Sequence, residues 1–465
     1  MTAPSNDSAW TELRALVRLS LPMSVAQLGL VFMGLVDTAI IGHVSVDDLA
    51  AVAIGRSIMF GICSIGMGIG SALDPLASQA VGAGKPERAR QALRAGIQAA
   101  ALITIPTIVL AFVATLGLGP LGVDTAILPR VHAYLLGSAP GVFGFLAFLA
   151  GKSFLQAHGA TRPALVASLV ANVVNAVVCS LLVRGDDALV AIGLPGIGLP
   201  RLGAVGAGVA SSIGSLLLAA IVLQAARTFR PAVVARAPDL PPDAAIRGDG
   251  DPISLVKVLR LGLPVGLQLL AEIGVFSLVA LLAGRLGTSV LSAHQIAVGL
   301  ASFTFMGALG VGGATAVRVG HAVGAGRSPR RSGLIGLGLG AAVMSVGALT
   351  FTLIPRPLIG LFTTDAEVIE IGARLLRIAS LFALFDGIQA VASGALRGAG
   401  DVRFPFLANV GAHWLVGLPI ALALGFGLGW GAVGLWWGLT AGLVSVAVLL
   451  TSRFFYIVRR GIARV

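Results

Sequence analysis

The chain has 465 residues, of which 57% are hydrophobic and only 11% charged, and its formal net charge is +12. Soluble domains devote about a quarter of their residues to charge, so this composition excludes a water-soluble globular fold. The basic residues lie in short stretches between apolar runs rather than on one polar face, which excludes a nucleic-acid-binding surface. Cys63 and Cys179 sit inside apolar runs without CxxC or ligand spacing, which excludes a disulfide scaffold or a zinc site.

Apolar runs bounded by Gly, Pro and charged residues predict twelve membrane spans, at roughly 21–44, 48–78, 93–117, 129–153, 164–183, 203–226, 258–284, 291–320, 333–355, 367–394, 405–426 and 431–456. The 63 glycines fit this reading, because small residues let membrane helices approach closely. The first run continues through Asp37 without a short apolar core and cleavage site, so it is expected to be a retained span. With an inward N-terminus, 24 of the 32 Lys and Arg fall on one face, in clusters around Lys85, Arg247 and Arg459. Cations accumulate on the cytoplasmic side, so both termini are expected there.

The longest polar stretch runs from about Arg227 to Leu255 and is rich in Pro, Asp and Arg, the composition of a cytoplasmic linker. It divides the chain into an N-terminal six-helix lobe (1–226), a linker (227–256) and a C-terminal six-helix lobe (257–465). The halves resemble each other: Val81-Gly82-Ala83-Gly84-Lys85 recurs as Val323-Gly324-Ala325-Gly326-Arg327, and Pro22 as Pro264, all offset by 242 residues. Six crossings per half give both halves one orientation, the parallel-repeat plan of secondary transporters, whose substrate lies between the repeats. The expected fold is an all-α integral membrane protein with twelve transmembrane helices in two pseudo-symmetric six-helix lobes around a central cleft.

Four acidic residues fall well inside spans: Asp37, Asp74, Glu272 and Asp386. A carboxylate at mid-bilayer costs at least about 2.5 kcal/mol, so it needs a partner, a proton, a cation or a wet cavity, and such groups mark ion pathways. Asp37, Glu272 and Asp386 are read as cation or proton coupling sites, with Glu272 and Asp386 as oxygen ligands for Na+. Asp74 precedes Pro75 near a span end, where a structural or capping role is expected. Gln268 lies one turn before Glu272 and Gln389 nearly one turn after Asp386, so each pair shares a helix face. Asn175 and Gln295 complete the candidate polar residues of the cleft. Such side chains serve either as interhelical hydrogen bonds or as ligands. His43, His294 and His413 stand alone, without a second metal ligand at helical spacing.

Gly82-Ala83-Gly84-Lys85 resembles a phosphate loop only superficially. Pro86 replaces the Ser or Thr that follows the lysine and no strand precedes it, so a turn in which glycine ends one helix is the expectation. There is no HExxH, no GxSxG and no paired acidic cluster in a polar loop, so enzymatic chemistry has no visible apparatus.

The sequence resembles the multidrug and toxic compound extrusion (MATE) family, in particular its NorM-like branch, over essentially its whole length. The resemblance is carried by Met33-Gly34-Leu35-Val36-Asp37-Thr38, by Leu261-Gly262-Leu263-Pro264 followed by Glu272, and by Ala293-His294-Gln295-Ile296-Ala297. It continues in Asp386-Gly387-Ile388-Gln389, Gly394-Ala395-Leu396-Arg397-Gly398 and Gly417-Leu418-Pro419. It implies a V-shaped cleft and efflux of bulky cationic or amphipathic drugs from a bacterial inner membrane, in exchange for Na+ or H+, by a monomer with no other cofactor and no nucleic-acid partner. It marks Asp37 with Asn175 as an N-lobe polar site and Glu272 with Asp386 as a C-lobe cation site. Two departures bear on the ion: Cys179 stands where the proton-coupled branch tends to carry Asp, and Phe382 where sodium-coupled relatives often carry Tyr. Sodium and proton both stay open, with the paired carboxylates favouring a hard cation. The alternative within the superfamily is a flippase for lipids or lipid-linked precursors, which requires a cleft lined by several cations.

Overall fold

A computed structural model describes residues 9–120, 122–191, 193–229 and 252–465; most of the expected linker lies outside the described residues. Twelve long helices dominate. The first half contains α1 (Ala9–Gly42), α2 (Val46–Gly82), α3 (Pro86–Thr115), α4 (Leu128–Ala157), α5 (Arg162–Arg184) and α6 (Gly203–Thr228). The second contains α7 (Leu255–Arg285), α8 (Thr288–Gly324), α9 (Arg330–Leu353), α10 (Ala366–Gly398), α11 (Arg403–Gly427) and α12 (Ala432–Arg460). Eleven of these are long and apolar enough to cross a membrane. The twelfth, α10, has 33 residues, about 50 Å at 1.5 Å per residue. Several helices outrun the apolar segment that revealed them: α1 begins at Ala9, about a dozen residues before the expected span, because Glu12, Arg14 and Arg18 continue the helix beyond the apolar run. Hydropathy locates the hydrocarbon crossing, not the helix end.

The repeat seen in the sequence is a repeat in space. Pro22 lies within α1 and Pro264 within α7. Gly84 and Gly326, which end α2 and α8, share a φ of +69°, the left-handed geometry that glycine adopts at a helix C-terminus without a Cβ penalty. The lysine-containing loop is therefore a helix-terminating turn. Each half packs around its own apolar core: Phe148, Phe154 and Leu155 with Val222 in the first, and Leu375, Leu435 and Trp436 with Val279 in the second. Only smaller clusters cross between halves, such as Leu16 and Met23 of α1 against Ala314 of α8.

The halves meet at the end of the bundle that carries the Lys85 turn. Gly68 of α2 and Gly266 of α7 sit so close that a Cβ on Gly68 would overlap the backbone of α7, the close approach that glycine permits. Beyond this crossing Glu12 and Arg318 form an ion pair, with Ser332 Oγ donating to Glu12 Oε1 at 2.7 Å. Gln79 Nε2 donates to the Gly398 carbonyl at 2.9 Å. At the opposite end the polar ties stay within one half: Arg130 pairs with Asp47 and Asp48, and Ser289 donates to Glu367. The halves are thus sealed against each other at one end by packing and polar bonds for which the opposite end has no counterpart in these ties among the described residues.

Between α5 and α6, Asp186 holds a surface loop in place by accepting from the amides of Ile197, Gly198 and Leu199 at 3.1, 2.9 and 2.9 Å. These donors, that of Leu199 foremost, favour the ionised form and hold the carboxyl below its ordinary value of 3.8. Ordering by this carboxylate is therefore complete above pH 3.8 and is lost as pH falls through the depressed folded-state value. Protection of the 197–199 amides, their exchange relative to that of an unstructured chain at the same pH, should be high at neutral pH, unchanged down to about 4, and lost only below that. In Asp186→Ala these amides should be unprotected at every pH; protection in that variant at pH 7 would show that the loop is held by something else.

Candidate functional site

Between the halves lies a cavity of 530 Å³, lined by residues of both, a volume in the range of drug-sized ligands. Most of its wall is apolar and aromatic, with Phe60, Phe145, Phe276, Phe305, Phe382 and Trp436 among the contributors. Phe382 stacks edge-on against both Phe276 and Trp436, with ring centroids 6.1 and 5.8 Å apart. Trp436 is 1% exposed and its indole N–H donates to His294 Nδ1 at 3.2 Å. The aromatic wall is thereby fixed from behind, which makes it a rigid, polarisable surface for flat or cationic molecules.

Glu272 from α7 and Asp386 from α10 line this cavity, as do Gln268 and Gln389. The structure therefore brings together the two acid and amide pairs that helical spacing put on shared faces. Asp386 is buried and within electrostatic range of Glu272. A further group, not singled out from the sequence, joins them: Asn409 of α11 is fully buried and its Nδ2 donates to Glu272 Oε2 at 3.4 Å. One turn on, α11 opens into π-helical turns over Gly411–Gly417, and Trp414 Nε1 donates to the Ala271 carbonyl beside Glu272 at 3.1 Å. Local π turns recur at functional sites. Asn409 was legible by the rule that flagged the other amides, since it too is a polar residue in an apolar span.

Asp37 and Asn175 also come together, but elsewhere. Asp37 of α1 is 5% exposed and accepts from Ser211 Oγ of α6 at 2.9 Å, with Asn175 and Cys179 of α5 facing the same carboxyl. Asp37 Oδ1 and both polar atoms of the Asn175 amide have no hydrogen-bond partner among the described residues. This is a second, separate polar site inside the first half, and neither residue lines the cavity. Gln295 departs from expectation: it is exposed on α8 and does not line the cavity. Its neighbour His294 is buried against Trp436. A turn of about 100° per residue separates adjacent positions on a helix, so a polar residue within a span need not face inward.

The cavity floor differs most from the sequence reading. Lys152 and Arg397, which charge counting placed at the cytoplasmic ends of their spans, line the cavity together with Asp74. Asp74 Oδ2 lies 3.6 Å from Arg397 Nε and Asp74 Oδ1 accepts from Ser153 Oγ at 2.7 Å. Asp74 is thus part of the interface between halves, not an isolated cap, and the cleft is not free of cations. Asp74 and Lys152 lie near the ends of their predicted spans and Arg397 three residues past the end of its own, on a helix that continues to Gly398, so all three meet where the halves close on each other.

Two six-helix halves of common orientation around a cavity that both of them line, with buried carboxylates on its wall, define the architecture of a membrane carrier. The MatE family model matches the chain twice, over residues 22–181 and 264–423, one match per half at the same 242-residue offset. The chain belongs to the MatE family. It is 37% identical to the probable multidrug resistance protein NorM of Rhodopseudomonas palustris, across 99% of this chain and 95% of that protein. It is 37% identical to the probable NorM of Deinococcus radiodurans, across 98% and 97%, and 35% identical to the multidrug resistance protein NorM of Burkholderia vietnamiensis, across 94% and 92%. In fold it matches the eukaryotic MATE transporter AtDTX14 with a TM-score of 0.81 at 24% identity, covering 97% of this chain and 98% of that one. The Vibrio cholerae MATE transporter VcmN in its bent form gives a TM-score of 0.81 at 22% identity, with the same coverage.

Proposed function

We propose that this protein is an antiporter that expels drug-sized cationic or amphipathic compounds across a bacterial inner membrane, both termini facing the cytoplasm, in exchange for Na+ or H+. The observation that carries the reading is the placement of Glu272 and Asp386 on the apolar, aromatic wall of one cavity between two repeats. The relatives named multidrug resistance proteins support the expulsion of drugs.

The chemistry follows from cost. Two carboxylates in mid-membrane repel each other unless a proton or a metal cation neutralises them. An empty, ionised pair attracts a cationic drug to the aromatic wall, and entry of the driving cation lowers the negative charge and weakens that attraction. Each ligand therefore reduces the affinity for the other by the same factor. Asp37, with Asn175, serves as the alternating ion site of the first half. The flippase alternative finds no support, because Arg397 of the floor is already paired with Asp74, and Glu272 and Asp386 line the same cavity.

The test is dye efflux from proteoliposomes under separately imposed sodium and proton gradients. A cationic aromatic dye should move against its gradient when one of the two is applied, and an organic anion of similar size should move at least about tenfold more slowly, since the wall's negative potential concentrates cations. Transport indifferent to both gradients, or faster for the anion, refutes the proposal.

A further inference from the structure

The cavity floor holds three charged side chains that the coupling mechanism does not use. Asp74 and Lys152 belong to the first half, on α2 and α4, and Arg397 to the second, at the end of α10. Asp74 stands where α2 is interrupted at Ala72, between segments Val46–Ser71 and Leu73–Gly82. Pro75 has no N–H to return to the preceding turn, which keeps the interruption open. The ion pair from Asp74 to Arg397 therefore joins the two halves at a break in the helix. It is the layer of the seal nearest the cavity; beneath it lie the packed Ser78 and Gly320 and the bond from Gln79 to Gly398. The Arg397 Nε makes no hydrogen bond, so the 3.6 Å ion pair is what ties that atom to Asp74. Lys152 is placed differently. Its Nζ donates at 3.4 Å to Gln27 Oε1, and it lies in the electrostatic field of both Asp74 and Arg397.

We propose that Asp74 is a partner-exchanging latch: paired with Arg397 across the halves it holds the cavity floor shut, and paired with Lys152 within the first half it holds the floor open. The physical reason is that a carboxylate losing its cationic partner in a low-dielectric interior is strongly destabilised, even where a hydroxyl such as that of Ser153 still donates to it. Separation of α2 from α10 takes Arg397 away, whereas Lys152 travels with Asp74. Two cations within electrostatic reach of one anion, one on each half, offer it two discrete partners, the bistable element that a gate requires. The latch rests on the carrier reading, but its test reports floor opening directly and does not depend on which ion drives transport.

The test uses the full chain in nanodiscs with Cys63 and Cys179 replaced and one reporter, Ser78→Cys, placed under the floor where the side chain is fully buried. A small thiol reagent labels it only when the floor opens. Asp74→Asn and Arg397→Gln should each speed labelling about tenfold by removing the cross-half pair, and Lys152→Gln should slow it by removing the partner of the open state, since each charge biases one arrangement. The charge-reversed double variant Asp74→Arg with Arg397→Asp should return labelling to within about threefold of the parent, a rescue expected only if the two charges act as a pair. Melting curves of each variant separate opening from unfolding. Labelling of folded Arg397→Gln and Asp74→Asn at the parent rate overturns the latch. A Lys152→Gln variant that opens as readily as Asp74→Asn overturns the exchange.

Discussion

Replacing Glu272 by Gln and Asp386 by Asn together is expected to abolish gradient-driven efflux while leaving a folded protein. The amides preserve size and hydrogen bonding; what they remove is the negative charge that either ligand requires. Burial favours the neutral amides over two repelling carboxylates, so the melting temperature should not fall. Efflux should drop by at least about 100-fold, because losing the coupling between two ligands forfeits a free energy of about 1–3 kcal/mol per site. Each single variant should bind a cationic dye more weakly and still release it to the driving ion, since the one remaining carboxylate cannot hold both cations at once. The Asn409 side chain donates to Glu272 and, among the described residues, has no hydrogen bond to Asp386, so its replacement by Ala should disturb the site without erasing it. Wild-type efflux in the double variant would exclude this pair as the coupling element and transfer the role to Asp37.

Trp436→Ala is expected to be the most damaging single change to the cavity. The indole is buried among the apolar residues of the second core, faces Phe382, and ties α12 to α8 through His294. Removing it costs about 3–5 kcal/mol through lost burial and the cavity left behind. The same change removes the rigid face that supports Phe382 and leaves the His294 Nδ1 without its donor. Dye affinity should fall with thermal stability, whereas Trp436→Phe should recover most of the stability and only part of the affinity, because it restores the ring but not the N–H. A Trp436→Ala protein with parental melting temperature and dye affinity would show that the aromatic wall is dispensable.

The repeat is a property of the backbone and not of the chemistry. At the 242-residue offset that the two family matches share, Glu272 corresponds to Leu30 and Asp37 to Val279. The halves are copies in fold, yet Asp37 stands about two helical turns along α1 from Leu30, the position equivalent to Glu272. Glu272 and Asp386 open onto the shared cavity, while Asp37 is enclosed within the first half with Ser211 and Asn175. The cavity is therefore faced by Glu272 and Asp386 of the second half and by Asp74 of the first, whereas Asp37 does not line it.

Much of this was legible in the sequence because it rests on local terms. Hydrocarbon length fixes the crossings, the cost of a charge in lipid singles out Asp37, Glu272 and Asp386, and helical spacing aligns Gln268 and Gln389 with their acids. The glycine turns at Gly84 and Gly326 follow equally from local backbone sterics. What only the tertiary structure decided depends on which helix faces which. Gln295 and His294 are adjacent in sequence and part company in space, Asn409 gains its meaning from contact with Glu272 137 residues away, and Asp74 meets Arg397 only because the two halves close on each other at one end. Hydropathy averages over a helix's circumference and so cannot say which side of it is wet. It also counts Lys152 and Arg397 as marks of a membrane face, whereas the folded bundle turns them into the floor of a cavity, because packing between distant helices, not distance from the bilayer centre, determines where a long charged side chain ends.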